Sequence, residues 1–143
     1  PWNAALDITF GLYKILVPNA IMKHILIIDD EEDIRDVAQV ALETIGGWRV
    51  STASNGPDGL GQLQTQPYDA VLLDVMMPDM DGIEVFRQIR ANPQTQAVPV
   101  ILMTAKTQAT DRKRFLDLGV TAIITKPFKA MFLTEQIADI LKW

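Results

Sequence analysis

The 143-residue chain has no cysteine and a single histidine, His24. Without cysteine, disulfide frameworks, thiolate zinc sites, iron–sulfur clusters and cysteine nucleophiles are excluded. One histidine is also too few for a multi-histidine metal site, and it argues against a Ser-His-Asp catalytic triad in this chain. A chain without disulfides fits a reducing compartment, so we expect a cytoplasmic protein.

Basic residues are in the minority, with 13 Lys and Arg against 18 Asp and Glu, for a net charge of −5. An acidic surface argues against a nucleic-acid binder held by phosphate contacts. The sequence also lacks the run of about 20 apolar residues that a membrane-spanning helix needs. We therefore expect no direct contact with nucleic acid or membrane. At roughly 150 residues per domain, the length predicts one domain.

Residues 1–21 differ from the rest of the chain, since they are mostly apolar and carry only two charges. Apolar residues alternate with others over Leu6–Leu12, a period-two pattern that predicts a strand. Position 1 is not Met, whereas Met22 stands just before a strongly apolar segment. We expect the natural protein to start at Met22 and the domain to span 22–143. The alternative is a natural extension that adds a strand or contacts a partner.

From Met22 onward, predicted strands and helices alternate five times. The predicted strands are His24–Ile28, Arg49–Ala53, Ala70–Val75, Val98–Met103 and Val120–Ile124. The predicted helices are Asp33–Ile45, Pro57–Gln66, Gly82–Ala91, Thr107–Leu118 and Ala130–Trp143. Apolar strands that alternate with helices predict an α/β domain, with a parallel sheet and helices on both faces.

Polar side chains stand where the predicted strands end. Asp29 and Asp30 follow the first strand, Asp74 lies at the end of the third, and Thr104 and Lys126 follow the fourth and fifth. Ligands of open α/β sheets bind beyond the carboxyl ends of the strands. We therefore expect three carboxylates, a hydroxyl and an ammonium to converge on one edge of the sheet.

Such a cluster of carboxylates needs compensation. Two like charges about 4 Å apart repel by about 4 kcal/mol at an effective dielectric constant of about 20. Either one carboxyl group stays protonated or a cation lies among them. Oxygen ligands favour a hard ion, Mg²⁺ or Mn²⁺. By contrast, Glu31, Glu32 and Asp33 begin a helix and suit its dipole, so we interpret them as capping or surface residues.

Taken together, these motifs resemble the receiver domain of two-component response regulators. The matching segments are Asp29-Asp30, Asp74 within Leu-Leu-Asp-Val-Met-Met-Pro-Asp-Met-Asp-Gly, Thr104-Ala105 and Lys126-Pro127-Phe128. The resemblance extends from Lys23 to about Leu141. It implies a flavodoxin-like, doubly wound sheet of five parallel strands in the order 2-1-3-4-5.

The resemblance also implies a function. Asp74 would accept a phosphoryl group from a sensor histidine kinase or a histidine phosphotransfer protein. Mg²⁺ would be held by Asp30, Asp74 and the backbone carbonyl of Met76, with Asp29 binding mainly through water. The protein would catalyse its own phosphorylation and dephosphorylation without being a turnover enzyme.

The remaining motif residues would bind the phosphoryl group. The resemblance assigns phosphoryl oxygens to the Thr104 hydroxyl, the Ala105 backbone amide and the Lys126 ammonium group, and it predicts a cis peptide bond before Pro127. The family usually has an aromatic residue three positions before the lysine, where this chain has Ile123. We therefore expect the signal to depend on loop movement rather than on a switching ring.

Several expectations concern output and lifetime. An output domain or target protein would contact the fourth helix, fifth strand and fifth helix, and a homodimer is left open. Met76 offers no hydrogen bond to an attacking water, and Lys106 is a cation near the entry, so we predict a phosphoryl group that lasts minutes or longer. The basic run Arg112–Arg114 is either a solvated helix face or a partner contact, and His24 is expected at the edge of the first strand.

Two alternative functions fit the sequence less well. A phosphatase of the haloacid dehalogenase type needs a second Asp two residues after the nucleophile, and Met76 stands there. A pseudo-receiver that serves only in protein interaction would have lost acceptor or metal-binding acids, whereas this chain keeps Asp29, Asp30 and Asp74.

Overall fold

The computed structural model describes residues 22–105 and 108–143. The strands are β1 (His24–Ile28), β2 (Arg49–Ala53), β3 (Ala70–Asp74), β4 (Val100–Thr104) and β5 (Ala122–Thr125). The helices are α1 (Glu32–Thr44), α2 (Gly56–Thr65), α3 (Gly82–Ala91), α4 (Ala109–Asp117) and α5 (Ala130–Leu141). Within these residues, every helix is too short or too polar to cross a membrane.

All five strands pair in parallel, in the order β2-β1-β3-β4-β5. The predicted α/β architecture, strand order and flavodoxin-like fold are thereby confirmed. In the register of the sheet, Ile28 of β1 lies opposite Leu73 of β3. Asp29 and Asp74, the next residue of each chain segment, therefore leave the sheet at the same edge.

Alternation along the strands divides the core into two layers. Leu26 and Ile28 face one side of the sheet and pack with buried residues of α2, α3 and α4, whereas Ile25 and Ile27 face the other side and pack with α1 and α5. These four side chains are fully buried. Strands covered on both faces read as continuous apolar runs, which is why the short segment His24–Ile28 is so strongly apolar.

Some predicted boundaries were wrong by one or two residues. β4 begins at Val100 rather than Val98, because Pro99 has no N–H to give to a ladder. The Pro99 carbonyl still accepts from Val71, at 2.9 Å. β5 begins two residues later than predicted and ends one residue later, β3 ends at Asp74, and α5 ends at Leu141. The predicted strand in 1–21 and the predicted start of the fourth helix at 107 lie outside the described residues.

The beginning of α3 is fixed against the end of β3. The Asp81 side chain caps the helix by accepting a hydrogen bond from the Glu84 N–H at 2.9 Å. The Gly82 N–H donates to the Val75 carbonyl at 2.9 Å. A Cβ atom on Gly82 would overlap the backbone carbonyl of Asp74, so only glycine permits this approach. The loop after Asp74 is therefore held from both of its ends.

Candidate functional site

Two of the predicted carboxylates lie together and are withdrawn from solvent. Asp29 is 0% exposed and Asp74 is 3% exposed. Asp29 is held in place by its neighbours, because one of its carboxylate oxygens accepts from the Glu31 N–H at 2.9 Å and its backbone carbonyl accepts from the Arg35 guanidinium at 2.8 Å. A buried carboxylate pair of this kind is costly unless a positive charge lies beside it.

Lys126, the residue after β5, supplies that charge. Its Nζ lies 2.7 Å from Asp29 Oδ2, 3.3 Å from Asp74 Oδ1 and 3.5 Å from Glu31 Oε1. The Lys126 backbone N–H donates to the Thr104 carbonyl at 2.9 Å, which ties the residue to the end of β4. The peptide bond between Lys126 and Pro127 is cis, as predicted.

The protonation equilibria of these groups are shifted. Burial, reinforced by the negative charge of Asp29, raises the pKa of Asp74 to about 6, although Lys126 opposes the shift. Burial alone would lower the pKa of Lys126, but the hydrogen bond and the charge of Asp29, together with Asp74, raise it above its usual value. Lys126 is therefore a permanent cation here, whereas Asp74 changes its charge close to neutral pH.

The oxygen donors at this edge suit a hard divalent cation. One carboxylate oxygen from each of Asp29, Asp30, Glu31 and Asp74 lies within 4.8 Å of the others. A set made only of carboxylate oxygens is what Mg²⁺ and Mn²⁺ prefer. The Met76 N–H lies 3.4 Å from Asp74 Oδ1, which places Met76 beside the cluster. Its carbonyl as a ligand stays a prediction.

The two residues predicted to bind phosphoryl oxygens from β4 differ in exposure. Thr104 is the last residue of β4, pairs with Thr125 of β5, and is 1% exposed. Ala105 follows it at the surface. Both thus lie at the same edge of the sheet as Asp74, because β3 and β4 are neighbours. Lys106, which we expect to affect the phosphoryl lifetime, lies outside the described residues.

Glu31, expected to cap a helix or lie at the surface, is exposed but does not cap. It stands at the N-cap position of α1, but its side chain makes no capping hydrogen bond there. Its carboxylate reaches Lys126 instead. Asx and hydroxyl side chains are short enough to fold back onto the first turn, whereas Glu is one methylene longer than Asp. The contact lies across the fold, so no local signal in the sequence could have revealed it; Arg35 was missed for the same reason.

Contacts near β5 bear on the predictions made for Ile123 and for the basic run Arg112–Arg114. Ile123 is partly buried and packs against the core layer that contains Phe115 of α4. Arg112 is not simply solvated, because its guanidinium donates to the Thr125 hydroxyl at 3.3 Å and so links α4 to β5. Its neighbour Lys113 pairs within the helix, with its Nζ 3.0 Å from Asp117 Oδ2.

His24 has partners that satisfy its ring. It is the first residue of β1 and is 7% exposed. Its Nε2 lies 2.8 Å from the Ser51 hydroxyl, and its ring stacks on Tyr68 with centroids 4.2 Å apart. Burial, together with the charge of Arg49, lowers the pKa of His24. It is a neutral structural residue at the end of the sheet that lies away from Asp29 and Asp74.

Comparisons with known proteins point to one family. The family model described as "Response regulator receiver domain" matches residues 25–138. The alkaline phosphatase synthesis transcriptional regulatory protein PhoP of Bacillus subtilis is 39% identical over 120 residues, which cover 84% of this chain and 49% of that protein. The response regulator ArlR of Staphylococcus aureus is 36% identical over 121 residues, with 85% and 53% covered. The chain thus spans about half the length of these curated relatives.

Solved structures give the same result. The chemotaxis protein CheY4 of Vibrio cholerae superposes with a TM-score of 0.77 at 28% identity, covering 83% of this chain and 98% of that chain. The N-terminal domain of a response regulator receiver protein from Methanoculleus marisnigri superposes with a TM-score of 0.67 at 36% identity, covering 84% and 97%.

Proposed function

Since the chain belongs to the response regulator receiver domain family, we propose that Asp74 is its phosphoryl acceptor in a two-component system. The observation that carries this assignment is the buried Asp74 carboxylate, 3.3 Å from the ammonium group of Lys126 and beside Asp29. Asp74 has a pKa near 6, so it is mostly ionised at pH 7 and above and can act as a nucleophile.

The transfer step forms one bond and breaks another. An oxygen of ionised Asp74 attacks the phosphorus of a phosphohistidine donor, while the bond from phosphorus to the imidazole nitrogen breaks. The bonding electron pair leaves with the imidazole nitrogen, and the product is an acyl phosphate on Asp74. Phosphoryl transfer depends mainly on positioning and on neutralising charge, so the fixed groups around the carboxylate matter more than further covalent chemistry.

The surrounding residues meet those needs. Lys126 would pair with a phosphoryl oxygen as a point charge, and the Thr104 hydroxyl and Ala105 backbone amide would hold the other oxygens. When bound, Mg²⁺ or Mn²⁺ would neutralise negative charge on the carboxylates and on the phosphoryl group. Its ligands would be Asp30 and Asp74 with the Met76 carbonyl, and with Asp29 through water.

The proposed partners follow from this chemistry. The donor is a sensor histidine kinase or a histidine phosphotransfer protein, and the protein does not turn over a separate substrate. Curated relatives about twice as long are named as transcriptional regulators, which favours an output domain or a target protein as the second partner. We place that contact on α4, β5 and α5. The Arg112–Thr125 hydrogen bond supports this choice, because it connects α4 to the residue beside Lys126.

Intact-protein mass spectrometry with acetyl phosphate and Mg²⁺ tests the proposal. Wild type should gain one phosphoryl group, and Asp74→Asn should gain none. Asp79→Asn is the matched control, since Asp79 is an exposed acid of the same loop and should leave the gain intact. A wild type that stays unmodified while a known receiver domain is phosphorylated in parallel would overturn the assignment.

A further inference from the structure

The three carboxylates around Lys126 differ sharply in exposure. The Asp29 and Asp74 side chains are 0% and 4% exposed, whereas the Glu31 side chain is 60% exposed. Lys126 itself is only 11% exposed. The Lys126 ammonium group therefore contacts two buried carboxylates on the protein side and the exposed carboxylate of Glu31 on the solvent side.

That arrangement matters for any phosphoryl group that reaches Asp74. The group must enter from solvent, because Asp29 and the core layers occupy the protein side. Three carboxylates lie within 3.5 Å of the Lys126 Nζ, and the contact with Asp29 is a hydrogen bond. A phosphoryl oxygen that approaches the ammonium group, which has three N–H donors, must compete with these carboxylates for it.

Glu31 is the partner that can leave at least cost. The Asp29 contact is the shortest, at 2.7 Å, and releasing it would strand a buried charge. The Glu31 contact is the longest, at 3.5 Å, and its carboxylate is solvated on release. We propose that Glu31 is a positioning residue which holds Lys126 from the solvent side and competes with the incoming phosphoryl group for its ammonium. This inference rests on the proposed function of Asp74.

The competition should be modest in size. Ion pairs with an exposed partner contribute about 0.2–1 kcal/mol, which corresponds to about a 1.5- to 5-fold change in an equilibrium constant. Removing the contact should therefore lower the half-saturating concentration of a phosphoryl donor by about that factor. The maximal rate should change little, because Glu31 is displaced before the phosphoryl group is transferred.

Substitutions of Glu31 and Glu32 can separate the effect of the ion pair with Lys126 from the effect of negative charge near the site. Glu31→Gln removes both the ion pair and the charge. Glu31→Asp keeps the charge but withdraws it from Lys126, because Asp is one methylene shorter and can instead cap α1. Glu32→Gln removes one charge next to the site and leaves the ion pair intact, because Glu32 is an exposed residue of the first turn. Since the Glu31 side chain makes no capping hydrogen bond, neither substitution of Glu31 takes a cap away from α1.

The experiment measures initial phosphorylation rates against acetyl phosphate concentration at saturating Mg²⁺ and fixed ionic strength. Glu31→Gln and Glu31→Asp should both lower the half-saturating concentration by about 1.5- to 5-fold relative to wild type, with maximal rates unchanged. Glu32→Gln should have a smaller effect than either.

Three results would overturn the inference. If Glu31→Asp behaves as wild type, or if Glu31→Gln matches Glu32→Gln, the half-saturating concentration depends on the net negative charge near the site and not on the contact between Glu31 and Lys126. If the variants alter the maximal rate instead, Glu31 acts on the transfer step. Failure of the proposed function looks different, because wild type itself would then take up no phosphoryl group.

Discussion

Ionised Asp74 should destabilise the metal-free domain, and Asp74→Asn should relieve that cost. Folding raises the pKa of this carboxyl from 3.8 to about 6, because burial and the charge of Asp29 outweigh the attraction of Lys126. Each tenfold change in the protonation equilibrium corresponds to about 1.4 kcal/mol, so the ceiling is about 3 kcal/mol at neutral pH. After allowance for local rearrangement and water penetration, a gain of about 1–3 kcal/mol is expected.

The direction of the pH dependence follows from linkage. Between pH 4 and pH 6 the folded state binds more protons at Asp74 than the unfolded state does. Stability contributed by the neutral carboxyl is therefore full below pH 4 and is lost as pH rises through about 6. Asp74→Asn cannot ionise and does not lose it. The advantage of the variant should be near zero at pH 4 and complete by pH 7.5.

Urea unfolding in EDTA at several pH values measures this advantage directly. Asp139→Asn is the matched control, since Asp139 is an exposed carboxylate on α5 and its removal should change stability by less than about 0.5 kcal/mol. Curves for wild type and Asp74→Asn that stay parallel from pH 4 to pH 8 would refute the reasoning, because they would mean that Asp74 titrates alike in the folded and unfolded states.

Three further predictions concern the metal, the loop after β3 and the remote end of the sheet. Mg²⁺ at about a hundred times its dissociation constant should stabilise wild type against urea unfolding by about 2.7 kcal/mol. The same Mg²⁺ concentration should stabilise Asp30→Asn much less. Equal stabilisation of the two proteins would exclude Asp30 as a ligand. Gly82→Ala should cost about 1–3 kcal/mol, because the new methyl group meets the Asp74 carbonyl; an unchanged unfolding midpoint would contradict this close approach. The lowered pKa of His24 means that stability should fall as pH drops below 6.5, and His24→Gln should flatten that slope; an unaltered slope would show that His24 is not its source.

Much of the site could be predicted because strand ends are fixed by the sheet. Apolar runs set the alternation of strands and helices, and residues at or just beyond the carboxyl ends of parallel strands must share an edge. Asp29, Asp74 and Thr104 are such residues, and Lys126 is tied by its backbone to Thr104. Their proximity therefore follows from the fold.

Other features depend on side-chain reach, which a one-dimensional pattern does not encode. The ion pair between Glu31 and Lys126 spans the edge of the sheet, and the Arg35 contact depends on the conformation that the backbone of Asp29 adopts. The start of β4 shows a different limit, since apolar Val98 fits the strand pattern but Pro99 interrupts the hydrogen-bond ladder.

The most direct test of the central claim is the location of the acquired phosphoryl group. An acyl phosphate is reduced by borohydride to an alcohol, so a phosphorylated aspartate becomes homoserine, which peptide mass spectrometry locates. After treatment with acetyl phosphate and Mg²⁺, homoserine should be found at position 74 and be absent when the phosphoryl donor is left out. Homoserine at Asp29, Asp30 or another acid, with Asp74 intact, would contradict the account.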